Sequence, residues 1–99
     1  MSWTIFRVPT GRKGDLDAAL ADDVVARQSR KIRDATTLGG PAGELVVLIE
    51  GTPEGVARAE TVLGPVGTKL TGAEAQQLFD RLAEEDQASA AGVGLLFSD

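Results

Sequence analysis

The segment Leu45-Val46-Val47-Leu48-Ile49 is apolar without a break and is closed at either end by Glu44 and Glu50. Successive side chains of a strand point to opposite faces, so Leu45, Val47 and Ile49 look one way and Val46 and Leu48 the other. A strand with one wet face would alternate apolar and polar residues; this one asks for cover on both sides. The first segment, Trp3-Thr4-Ile5-Phe6-Arg7-Val8, repeats the demand, since Trp3 and Ile5 oppose Phe6 and Val8. The chain therefore predicts a sheet whose two faces are both covered, at least in its middle.

Around those two strands the remaining elements follow from punctuation and periodicity. The first strand stops at Pro9, and Thr10-Gly11-Arg12-Lys13-Gly14 is a loop. Leu16, Leu20 and Val24 recur every four residues from Asp15 to about Arg30, with acidic residues early and Arg27, Arg30 and Lys31 late, the order a helix dipole favours. Arg33 extends that basic cluster, which reads as complementing the helix C-terminus. Ile32 to Leu38 is expected as a second strand, turning through Gly39-Gly40-Pro41-Ala42-Gly43 into the third as a hairpin. Thr52 is placed to cap a helix with Pro53 at its first position, and Val56, Ala59 and Leu63 give its buried face up to Gly64-Pro65. Val66 to Leu70 is a fourth strand. Thr71-Gly72-Ala73-Glu74 has the capping-box form, opening a third helix with Ala75, Leu78, Phe79 and Leu82 on one side.

The order is βαββαβ followed by a helix and the apolar tail Ala90–Phe97, which predicts an α+β fold: a ferredoxin-like sandwich of two split βαβ units on one antiparallel sheet. One domain of 99 residues is expected, with a core over 1–70 and the helix and tail over 71–99. Two covers for the sheet's open face are available: the third helix with its tail, or a second copy of the chain. Val93, Leu95, Leu96 and Phe97 are costly to leave in water, so self-association is expected through Trp3, Phe6, Val46, Leu48, Leu95, Leu96 and Phe97.

Composition removes many functions. There is no histidine, cysteine or tyrosine, so thiol and imidazole nucleophiles, thiolate metal sites and disulfides are excluded. The net charge of −5 disfavours nucleic acid and anionic membrane, which need a basic face. No apolar run is long enough for a signal peptide core or a bilayer span, which predicts a cytoplasmic protein. No catalytic residue, metal ligand or cofactor is assigned. Asp22-Asp23 and Glu84-Glu85-Asp86 lack the spacing that wraps oxygens around calcium and read as helix surface.

One loop carries a candidate site. Gly11, Arg12, Lys13 and Gly14 lie between a strand and a helix, where backbone N–H groups and two basic side chains could meet a small anion, although Asp15 is well placed to cap that helix itself. The stretch Val8-Pro9-Thr10-Gly11-Arg12-Lys13-Gly14-Asp15-Leu16 resembles the first loop of ACT-type regulatory domains, matching at Gly14 and Leu16, with the element order of residues 3–70. The resemblance implies an amino-acid ligand held between this loop and a neighbouring subunit, and association through the sheets. The expected function is thus a non-enzymatic module that forms a homo-oligomer and either binds a small anionic ligand or serves a larger complex as an accessory subunit. The alternatives are an acid-base enzyme using carboxylates or Lys69 in a subunit cleft, and a purely structural assembly protein.

Overall fold

The computed structural model describes residues 2–84. Strand β1 (Ser2–Pro9) leads through a 3-10 turn (Thr10–Arg12) into helices α1 (Lys13–Leu20) and α2 (Asp23–Ala26). Then come β2 (Ser29–Asp34), a second 3-10 turn (Ala35–Leu38), β3 (Glu44–Gly51), α3 (Pro53–Leu63), β4 (Thr68–Lys69) and helix α4 over 72–84. The fold is α+β, built on one four-stranded sheet of order β2-β3-β1-β4 in which every neighbouring pair is antiparallel. The two strands with uninterrupted apolar character sit in its centre, in register from Ser2 opposite Gly51 to Pro9 opposite Glu44.

Each face of the sheet has its own core. Phe6, Val8, Val47 and Ile49 pack with Leu16, Leu20, Val25, Ala59, Leu63 and Val66 beneath the first three helices. On the other face Ile5, Val46 and Leu48 pack with Ala35, Leu38, Leu70 and, from α4, Ala75 and Leu82. Trp3 stacks on Phe79 with ring centroids 4.4 Å apart and planes 12° from parallel, closing one end of that layer. Of the two covers considered for the open face, the chain's own helix α4 is therefore in place. The segment beyond it, with Val93, Leu95, Leu96 and Phe97, lies outside the described residues.

Several local expectations are corrected. The helix expected over Asp15 to Arg30 ends at Leu20 because Asp22 restarts the chain, its carboxylate accepting from the N–H groups of Val24 and Val25. The four-residue repeat breaks with it: Val24 is 39% exposed and Val25 takes the buried place. The second strand is Ser29–Asp34 rather than Ile32 to Leu38, since Asp34 accepts from Thr36 N and Oγ1 while Thr37 Oγ1 donates to the Asp34 carbonyl, winding the next residues into a 3-10 turn. Arg30, Lys31 and Arg33 consequently lie on a strand and not at a helix end. The fourth strand shrinks to Thr68–Lys69, with Val66 and Leu70 buried in opposite cores. Helix α3 forms as its sequence requires, Thr52 Oγ1 accepting from Gly55 N at 3.0 Å and Pro53 opening the first turn.

Candidate functional site

The loop after β1 does not present its charges to solvent as a pair. Arg12 Nη1 donates to the carbonyls of Pro65 at 2.6 Å and Val66 at 3.2 Å, and its Nε and Nη2 both reach Asp15 Oδ2. A guanidinium holding two carbonyls and a carboxylate has little left for a ligand; here it ties the loop to the end of α3. Asp15 does not cap the helix, whose first residue is Lys13 and whose N-cap makes no side-chain bond. Gly11 and Gly14 have open space where a side chain would go, and Lys13 makes no ion pair among the described residues.

A second arrangement, not anticipated from sequence, lies between α4 and the sheet. A cleft of about 380 Å³ is bounded by Ala35, Leu38 and Gly39-Gly40-Pro41 on one side and by Glu74, Gln77, Leu78 and Arg81 of α4 on the other, with Arg7, Val46 and Leu70 also lining it. Arg7 pairs with two carboxylates, its Nε lying 3.0 Å from Glu44 and its Nη1 donating to Glu74 at 3.4 Å, so its charge is offset. Glu74, read from sequence as the capping-box acid, accepts from Arg7. Arg81 is different. Its Nη1 donates to the Leu38 carbonyl at 2.6 Å, and it pairs with no carboxylate among the described residues. The cleft thus sets the aliphatic side chains of Leu38, Val46, Leu70 and Leu78 beside a guanidinium that pairs with no carboxylate among the described residues. The signal in sequence was slight, because Arg81 and Leu38 are brought together only by the fold of α4 across the sheet.

The other polar features are structural in character. Asp22 accepts two hydrogen bonds from Arg58, Nη2 at 2.7 Å, and this guanidinium, with the Val24 and Val25 amides, holds the Asp22 carboxyl below its ordinary range. The Asp34 carboxyl is lowered in the same direction by Thr36. Lys69 Nζ lies 2.7 Å from Glu60 and lowers that carboxyl, with a smaller contribution from the nearby Thr4 hydroxyl. Thr4 Oγ1 is buried and has no hydrogen-bond partner at bonding geometry. Lys69, the candidate acid-base lysine, is thus one half of an ion pair that lines a shallow cleft with Trp3, Thr4 and Thr71.

Of the residues expected to meet a second copy, Phe6 lies in the core under α1 and α3, and Val46 and Leu48 lie beneath α4, all three at most 2% exposed. Trp3 is occupied by Phe79. Leu95, Leu96 and Phe97 lie outside the described residues. Among the described residues no cluster of acidic side chains is arranged to hold a metal ion, and no helix is long and apolar enough to cross a membrane. No protein-family model, curated protein or solved structure matches the chain.

Proposed function

We propose that the chain is a small cytoplasmic, non-enzymatic binding module with the ferredoxin-like arrangement, whose ligand is a small organic anion held in the cleft between α4 and the sheet. The observation that carries this reading is Arg81: a guanidinium that pairs with no carboxylate among the described residues, fixed by its bond to Leu38, at a cleft lined by Leu38, Val46, Leu70 and Leu78. A single carboxylate head would meet Arg81 and an apolar body the aliphatic lining, the combination that small-molecule sites use. The anion is assigned to the cleft and not to Gly11, Arg12, Lys13 and Gly14, because Arg12 is spent on Pro65, Val66 and Asp15.

Support for the ferredoxin-like arrangement comes from the strand order, which two interlocked split βαβ units give when the strands run antiparallel, β3 lying between β1 and β2. The same order suits the resemblance to ACT-type domains. Self-association through Leu95, Leu96 and Phe97 remains part of the proposal. For the rival acid-base enzyme, Asp22, Asp34 and Glu60 are poor candidates for its general acid, since each is held more acidic than usual.

A thermal-shift screen of small carboxylates, followed by calorimetry, tests the reading. A true ligand at about 100 times its Kd adds about 2.7 kcal/mol of stability. Arg81→Gln should abolish the shift and Lys13→Ala should leave it intact. The opposite pattern would return the site to the loop, turnover of any compound would favour the enzyme, and a screen without a single shift would leave assembly as the function.

A further inference from the structure

Helix α4 contributes two side chains of opposite charge to the cleft, Glu74 and Arg81, with Leu78 between them in sequence and Val46 and Leu70 also in the lining. At the α-helical rise, their seven-residue separation puts the two Cα atoms about 10 Å apart. At one end Arg81 Nη1 donates to the Leu38 carbonyl, and the guanidinium pairs with no carboxylate among the described residues. At the other, Glu44 and Glu74 converge on the single guanidinium of Arg7, at 3.0 Å and 3.4 Å. We propose that the ligand of this cleft is dipolar: a carboxylate held by Arg81, an ammonium held by Glu74, and an aliphatic chain between them.

The inference rests on the reading of the cleft as a carboxylate site and adds the chemistry of its second end. The bond to the Leu38 carbonyl fixes Arg81 through Nη1 alone. Its Nε and Nη2, which have no acceptor among the described residues, form the paired edge that suits a carboxylate. Around Arg7 the balance of charge is reversed. Two carboxylates share one guanidinium there, and the Glu74 contact is the longer of the two, with 58% of that side chain exposed. Glu74 Oε2 meets Arg7, while Oε1 has no donor among the described residues. An ammonium arriving at this end is attracted, and a second carboxylate is repelled by Glu44 and Glu74 together.

Spacing separates this ligand from its near relatives. Both side chains reach off the helix to other elements, Glu74 to Arg7 and Arg81 to Leu38, so the separation along α4 carries over to their charges. Subtracting a polar contact of about 3 Å at one end or at both leaves roughly 4–7 Å between the ligand's own charges. A chain of several methylenes spans that distance and lies against the aliphatic lining. An α-amino acid carries both charged groups on one carbon and reaches one end at a time. A dicarboxylate has the reach but the wrong sign at Glu74.

The test is titration of the full-length chain, followed through its amide resonances, with caproate, ε-aminocaproate, adipate and norleucine, the α-amino isomer of the second. The ε-amino compound should bind about two- to fivefold tighter than caproate, the gain expected of an exposed ion pair, and the gain should shrink at high salt. Adipate should bind more weakly than caproate, and norleucine no more tightly. Glu74→Gln should erase the preference for the ε-amine, and Arg81→Gln should weaken binding of every compound. Equal affinity for caproate and ε-aminocaproate would overturn the dipolar ligand and leave the carboxylate site standing. So would tightest binding by norleucine, or an ε-amine preference that survives Glu74→Gln. The absence of any saturable shift, or affinities indifferent to Arg81→Gln, would overturn the carboxylate site and the dipolar ligand with it.

Discussion

Gly67 lies where the chain entering β4 passes closest to β1: a Cβ at this position would stand 2.5 Å from the Arg7 carbonyl oxygen and 2.7 Å from Val8 Cγ2. The carbonyl belongs to the central strand and cannot move aside, so Gly67→Ala is expected to cost about 1–3 kcal/mol. Gly14, in the first turn of α1, has nothing within 4 Å of that position. There the alanine variant is expected to gain about 0.5–1 kcal/mol from helix propensity. Denaturant titration of both variants checks the pair, and the sequence alone cannot tell these glycines apart. Asp22 makes a different residue-scale prediction. Its carboxyl is more acidic in the folded chain, through Arg58 first, so its stabilising contribution is present above the unfolded pKa of about 3.9 and is lost as pH falls through the folded value. Asp22→Asn keeps an acceptor for the Val24 and Val25 amides but no charge. Its melting temperature should therefore fall less steeply than that of the wild type below about pH 4.

Among the elements, α4 is the one whose role the structure decides. Its apolar stripe, Ala75, Leu78, Phe79 and Leu82, is plain from spacing, but spacing is silent about what the stripe covers. Leu82 is fully buried over Ile5, Val46 and Leu48, in the layer that the two-faced strands demanded. Leu82→Ala is expected to cost about 2–5 kcal/mol, as much as Leu63→Ala on the other face, where a helix with an isolated surface role would lose far less. Chemical denaturation of the two variants compares them directly. Where element boundaries differ from expectation, the cause is local polar competition. Asp22 and Asp34 each turn a carboxylate onto nearby backbone or side-chain donors and end an element that hydrophobic periodicity alone would continue.

For the whole molecule, the central question is what the apolar segment after α4 does. The described chain already covers both sheet faces, and Val24 is the one large hydrophobic side chain exposed on it. Truncation after Gly92 should therefore leave the melting temperature unchanged while converting an oligomer into a smaller species, if Leu95, Leu96 and Phe97 join copies. Light scattering and thermal denaturation of the truncated and full-length chains decide this. A lower melting temperature at every concentration would instead place those residues against their own chain.

The sequence by itself determined that the strand around Val47 and the strand around Phe6 are covered on both faces, because strand geometry sends consecutive apolar side chains to opposite sides whatever the rest of the chain does. It likewise determined the start of α3, since Thr52 and Pro53 act on backbone groups within one turn. Tertiary structure alone decided that the loop's Arg12 is a tether and that Arg81 stands over Leu38, pairs separated by 53 and 43 positions. It also decided that Arg30, Lys31 and Arg33 lie on β2, the outer strand of the order β2-β3-β1-β4. These assignments depend on which distant backbone groups the folded sheet brings within hydrogen-bond reach, and neither periodicity nor capping chemistry carries information over that separation.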